Sequence, residues 1–134
     1  KVDKENLVEI VEGLDGYVVI DTPPNDGEII YAAGGVADEV IVPLGSGGQD
    51  VSRLATTLSA IAHIEKMRQK PLTSILLTRW RDNVNMGKEV LEMLEQKKLP
   101  VLDNRIRLLT RYEGFVLPEY LDEYNAVLKE LEVL

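Results

Sequence analysis

Tyr17-Val18-Val19-Ile20-Asp21-Thr22-Pro23-Pro24 is the stretch on which the fold turns. Val18, Val19 and Ile20 are β-branched and show no polar alternation, the pattern of a strand covered on both faces in a parallel sheet. Asp21 then stands at the carboxyl end of that strand, and Pro23 and Pro24 stop the ladder and stiffen the exit. In open α/β sheets ligands bind at this edge. An acid emerging there from a buried strand is how nucleotide-hydrolysing proteins hold a magnesium-bound water.

Working outward, Leu7, Val8, Ile10, Val11 and Leu14 recur at helical spacing within residues 4–14, and Gly13 with Gly16 ends that helix before the strand. Asn25-Asp26-Gly27 is turn chemistry, and residues 28–36 predict a short helix of small side chains that packs closely on a sheet. A strand at 39–44 follows. Asp50 then reads as the N-cap of a long helix over 50–69 striped with Val51, Leu54, Leu58, Ile61, Ile64 and Met67, and Pro71 ends it. Residues 74–79 predict a strand, 84–98 a helix with Val90, Leu91 and Leu94 inward, and 99–102 a short strand. Residues 119–133 close the chain as an amphipathic helix carrying Leu121, Tyr124, Leu128 and Leu131 on one side. Strand and helix alternate with long connections, which implies parallel pairing through right-handed crossovers. The expected class is α/β, a three-layer parallel sheet with flanking helices, as one domain over residues 1–134.

The composition bounds the chemistry. Apolar residues make up 45% of the 134 but aromatic residues only 5%, which suits an aliphatic core. The chain has no cysteine, so disulfides and thiolate metal sites are excluded. Its single histidine, His63, brings no second imidazole or thiolate for a metal. No apolar run approaches the roughly 20 residues of a membrane span and no signal peptide is visible, so a cytoplasmic protein is the default expectation. The net charge of −8 argues against a general nucleic-acid coat. Six cations nevertheless gather around two segments: Arg79, Arg81 and Lys88 flank one loop, and Arg105, Arg107 and Arg111 cluster in the next. Asp122 and Glu123 read as part of the last helix's solvated face.

Four segments in order resemble the ParA/MinD (Soj-like) family of deviant-Walker P-loop ATPases, on its plasmid and chromosome partition branch. The apolar strand with Asp-x-Pro-Pro at 21–24 is similar to the family's second acidic motif. Residues 38–44, Asp-Glu-Val-Ile-Val-Pro-Leu, are similar to its next strand with a terminal proline. Residues 75–90 resemble the following strand, loop and helix start, and residues 101–108 the late segment that lies near the nucleotide base. The family's late segment usually reads Pro-Arg-Asn-Val-Arg, whereas here Asp103 and Asn104 stand where proline and arginine would. The resemblance implies a P-loop NTPase-like fold that binds ATP with magnesium, dimerises around the nucleotides and binds DNA nonspecifically. It also implies stimulation by a ParB-like centromere-binding partner. In that frame Asp21 holds the magnesium through water as the catalytic acid, with Thr22 beside it. Thr78 and Asn104 face the base or ribose, and Arg79, Arg81, Lys88, Arg105, Arg107 and Arg111 meet DNA phosphates.

One part of the family pattern is missing from the sequence. No glycine-rich loop ends in Gly-Lys-Ser or Gly-Lys-Thr, and nucleotide phosphates need that loop's N–H groups and lysine. Gly45-Ser46-Gly47-Gly48 carries no lysine and reads as a flexible strand-to-helix connection. The chain is therefore expected to be the carboxyl-terminal portion of a ParA-like ATPase, with the P-loop strand missing and no hydrolysis of its own. The alternative from a different class is a non-catalytic dimerisation or scaffold module derived from the same fold. A MinD-like positioner at the membrane is disfavoured, because Val127–Leu134 carries glutamates and one lysine rather than a basic amphipathic membrane helix.

Overall fold

The computed structural model describes residues 5–23, 26–81, 85–112 and 121–133, the Gly48 and Arg111 side chains excepted. Among them are five helices and a small two-stranded parallel sheet: α1 Leu7–Glu12, α2 Gly27–Val36, β1 Val40–Leu44, α3 Gly48–Arg68, β2 Thr73–Leu77, α4 Asn85–Gln96 and α5 Asp122–Glu130. A single 3-10 turn, Thr110–Tyr112, precedes α5. The class is α/β, as the alternation predicts. Two compact units are distinguished along the chain, residues 1–40 with 55–73, and residues 41–54 with 74–134.

In the first unit, Asp26 caps α2 by accepting the Ile29 N–H at 3.2 Å. α2 contacts α1, and Gly34 lets it approach α3: a Cβ there would sit 2.7 Å from Ile64 Cδ1. The Arg68 guanidinium donates to the carbonyls of Gly34 (3.0 Å) and Ala37. α3 stops at Arg68, and Gln69 takes a φ of 54°. The next residues are tied down by Glu65, whose Oε1 accepts from Leu72 N–H (2.7 Å), Thr73 N–H (2.9 Å) and the Thr73 hydroxyl (2.7 Å). A helix carboxylate thus fixes the entry to β2 and satisfies backbone donors that would be costly to bury unpaired.

β2 is paired on both edges. Its ladder with β1 runs from Val40 N–H donating to Leu72 carbonyl (2.7 Å) to Thr78 N–H donating to Leu44 carbonyl (2.9 Å). On the other edge Ile75 N–H donates to Pro100 carbonyl (2.7 Å), Leu102 N–H to Ile75 carbonyl (2.9 Å) and Ile106 N–H to Leu77 carbonyl (2.8 Å). Ile75↔Val101 and Trp80↔Arg107 are parallel bridges, so residues 99–108 form an irregular third strand in place of the short regular one expected. Ile75, Leu76 and Leu77 are all buried, as a strand covered on both faces should be. Beside β2, Leu76, Ile106 and Val127 form a cluster packed by Leu102, Tyr112 and Leu131.

The expected strand at 17–21 does not form. These residues have no regular structure, and among the described residues no backbone hydrogen bond joins Tyr17–Ile20 to another segment. Tyr17 is 81% exposed and Val19 92%. The physical reason is that β-branched side chains favour extended backbone, but only a neighbouring ladder and a covering layer turn it into a buried strand. Among the described residues β1 pairs only with β2 in the sheet, and Ile41 is exposed.

Two substitutions separate these cases. Ile75→Ala should cost about 2–5 kcal/mol, as for a fully buried aliphatic side chain. Val19→Ala should stay within about 0.5 kcal/mol of the parent. Urea melts at neutral pH measure both, and a multi-kilocalorie loss for Val19→Ala would show that 17–20 is a covered strand after all.

Candidate functional site

Asp21 and Thr22 belong to the first unit. Asp21 is exposed and Thr22 half-buried, in the same irregular segment as Tyr17–Ile20, and Pro24 lies outside the described residues. Asp21 thus follows a run without regular structure and not a ladder-bonded strand. Among the described residues no group of three or more acidic, histidine or cysteine side chains is arranged to hold a metal ion. A lone carboxylate, without the lysine-bearing loop that the sequence also lacks, does not make a complete magnesium–nucleotide pocket.

The remaining candidates fall in the second unit, around the carboxyl end of β2. Thr78 and Arg79 follow the strand directly and, with Ile106, Arg107, Leu108, Leu109, Tyr112 and Tyr124, line a cavity of about 250 Å³. Arg79 turns the chain with a φ of 49°, in the left-handed region that non-glycine residues seldom adopt. Its guanidinium meets Asp50 Oδ2 at 3.3 Å. Asp50 stands in the first turn of α3 and not at its N-cap, since the helix already begins at Gly48. A Cβ on Gly45 would overlap the Asp50 carboxylate, so a larger residue there would have to displace that side chain. Tyr112 and Tyr124 meet edge to face, ring centres 5.4 Å apart, as one wall of the cavity.

Asn104 does not line this cavity with Thr78. Its side-chain amide donates to Glu130 Oε2 at 2.8 Å and its backbone N–H to the same oxygen at 2.9 Å, while Asp103 N–H donates to Glu130 Oε1. The amide is committed to structure.

The six cations occupy different settings. Arg81 and Lys88 are exposed, and the Arg111 side chain lies outside the described residues. Arg105 lies over the Trp80 ring, 5.7 Å from its centre, and Trp80 itself is buried. Packing is the use of that indole: a Cβ on Gly87 of α4 would meet Trp80 Cζ2 at 3.2 Å. Arg107 is held by Glu123, which accepts its backbone N–H at 2.9 Å and its Nε–H. His63, exposed on α3, meets Tyr31 edge to face at 5.9 Å.

Glu123 therefore departs from the expected solvated face. Asp122 is exposed, but the Glu123 side chain is only 13% accessible. Glu123 and Glu130 stand seven residues apart, two turns along one face of α5, and both clasp the segment 103–107. Burial pushes both carboxyls up. The hydrogen bonds from Arg107 and Tyr112 to Glu123, with the Arg107 charge, and those from Asn104 and Asp103 to Glu130, outweigh it and leave both below the ordinary 4.5. Glu65 is lowered likewise, its burial outweighed by the Leu72 and Thr73 bonds. Sequence reasoning missed all three clasps. The only available signal was the seven-residue spacing of Glu123 and Glu130 beside inward Val127.

A carboxylate whose pKa is lowered by folding stabilises the fold above its unfolded value and loses that contribution as pH falls through the folded one. Glu130→Gln should be less stable than the parent by about 1–3 kcal/mol at neutral pH. The gap should close as the pH drops below the ordinary 4.5. Thermal melts of both proteins across this range check the sign, and a gap that widens in acid would refute it. Comparison with protein-family models and with curated proteins returns no match for the chain.

Proposed function

We propose that the chain is the carboxyl-terminal portion of a ParA-like partition ATPase, built on a three-layer P-loop NTPase-like sheet. It contributes the base side of the nucleotide pocket and a DNA-facing basic surface. The observation that carries this reading is the convergence of the β2 terminus and residues 106–109 on one cavity at the carboxyl edge of a parallel arrangement. That is the edge where open α/β sheets take ligands. The ordered resemblance of the segments between Asp21 and Leu108 to the family's motifs supports it. Thr78 is the residue for the base or ribose, Asp21 with Thr22 is the acid and hydroxyl of the family's magnesium–water motif, and ATP–magnesium binds only with a phosphate loop supplied by polypeptide outside this sequence. The parent protein dimerises, segregates plasmids or chromosomes and answers to a ParB-like partner. The basic residues meet DNA phosphates without reading bases, so affinity is salt-sensitive and indifferent to sequence. Among the described residues no helix is long and apolar enough to cross a membrane.

A second reading, a non-catalytic dimerisation or scaffold module of the same fold, is favoured by one feature. Tyr17–Ile20 exposes Tyr17 and Val19 and, among the described residues, makes no backbone hydrogen bond to another segment, which leaves a β-branched run for a strand of another chain to pair with.

Fluorescent ATP and labelled duplex titrations distinguish these. Under the ATPase reading this chain shows no tight magnesium-dependent ATP binding, the protein that includes a phosphate loop binds ATP, and that protein holds duplex DNA at low salt. Charge reversal at Arg105, Arg107 and Arg111 should then weaken duplex affinity by tenfold or more, with each lost phosphate contact flattening the salt slope by about 0.9. Affinity unchanged by the triple reversal would remove the DNA-facing assignment, and tight ATP binding by this chain alone would overturn the division of the pocket.

A further inference from the structure

We propose that Glu123 is an electrostatic latch that holds Arg107 away from nucleic-acid phosphate, so that releasing it adds one phosphate contact to the basic surface. The inference rests on the DNA reading above and says how that surface is regulated. Arg107 lies near the end of the irregular third strand, and Glu123 binds it twice, through the backbone N–H at 2.9 Å and through Nε–H. The Glu123 side chain is 13% accessible and the Arg107 side chain 50%. The carboxylate is thus sunk and fixed, while its cation remains reachable from solvent. Tyr112, stacked edge to face on Tyr124, also hydrogen-bonds Glu123, so the acid is braced from a second side.

A phosphate approaching Arg107 must compete with a carboxylate that is already in place and desolvated, and charge-assisted bonds of this kind are the strong ones. The latch sits on α5, whereas Arg107 sits on the segment that pairs with the end of β2, so the acid and its cation belong to different elements. Glu130 provides an internal contrast. It lies two turns along the same helix and clasps the same segment, but its bonds run to Asp103 and Asn104 and not to a guanidinium. A merely structural role would give Glu123 and Glu130 the same consequence on loss.

The test is duplex binding, at several low salt concentrations and with ATP and magnesium, by the protein that includes both this chain and a phosphate loop, with melts to confirm folding. Glu123→Gln keeps an acceptor for the Arg107 N–H but removes the charge. It should tighten duplex binding about three- to tenfold and steepen the log–log salt slope by about 0.9, the value of one added phosphate contact. Both gains should vanish in Glu123→Gln/Arg107→Gln and be absent in Glu130→Gln, which removes an equal charge. Equal gains in Glu130→Gln, or gains that persist without Arg107, would reduce the effect to net charge and overturn the latch. If the parent binds duplex and Glu123→Gln binds it no better, the latch fails while the DNA reading stands. If neither binds, both fail. Arginine modification by phenylglyoxal, read by mass spectrometry on the same protein unsubstituted, needs no variant. Saturating duplex should protect Arg81 or Arg105 and leave Arg107 unprotected, and protection of Arg107 would contradict the proposal.

Discussion

The second unit depends on β2 being paired along both edges. A strand as apolar as Thr73–Leu77 can be buried only if its N–H and carbonyl groups find partners, since a buried orphan costs as much as a lost hydrogen bond. β1 supplies one set and residues 100–106 the other, although the second side never becomes a regular strand. Where β2 ends, Thr78 remains on the ladder, Arg79 turns through a positive φ, and Trp80 rejoins the third segment by donating to the Ile106 carbonyl at 3.0 Å. The cavity at this end follows from that path.

Three helix-borne glutamates make the irregular pairing tenable. Glu65 secures the entry to β2, Glu130 the approach of Asp103 and Asn104, and Glu123 the exit at Arg107. Each accepts from backbone N–H groups where the ladder is broken or not yet begun. Among the described residues no buried side-chain nitrogen or oxygen lacks a partner. In a chain of net charge −8 this arrangement also places acids beside the basic segments. Local attraction between these groups sets which cations remain available to a polyanion.

Much of the element order was legible because helices announce themselves locally. Of the stripe expected on α3, Leu54, Ile61 and Ile64 lie buried, Val51 and Leu58 are half-buried and Met67 is exposed, while on α4 Val90 and Leu94 are buried and Leu91 half-buried. The Asp26 cap and the stop before Pro71 follow from residue chemistry alone. The strand expected at 17–21 rests on the same local preference that serves helices, yet a strand is a relation between two segments. Without a ladder neighbour, Val19 stays in solvent. The site was partly legible for a related reason. Thr78 and Arg79 reach the cavity because strand ends in α/β sheets point there, whereas Asn104 is captured by Glu130, a long-range choice that no local pattern encodes. Glu123 was hidden in the same way, since one acid among 23 carries no mark of the arginine it will meet.

The functional reading therefore joins a family-like order of segments to a cavity at the end of a doubly paired strand, whereas Tyr17–Ile20 has no backbone hydrogen bond to another segment among the described residues. Amide hydrogen exchange on the intact chain tests that division most directly. The amides of Ile75, Thr78, Leu102 and Ile106, all donors in the two ladders, should exchange as slowly as global unfolding allows. Those of Tyr17, Val18, Val19 and Ile20 should exchange near the rate of an unprotected peptide. Comparable protection in the two groups, or fast exchange at Ile75 and Ile106, would contradict the account.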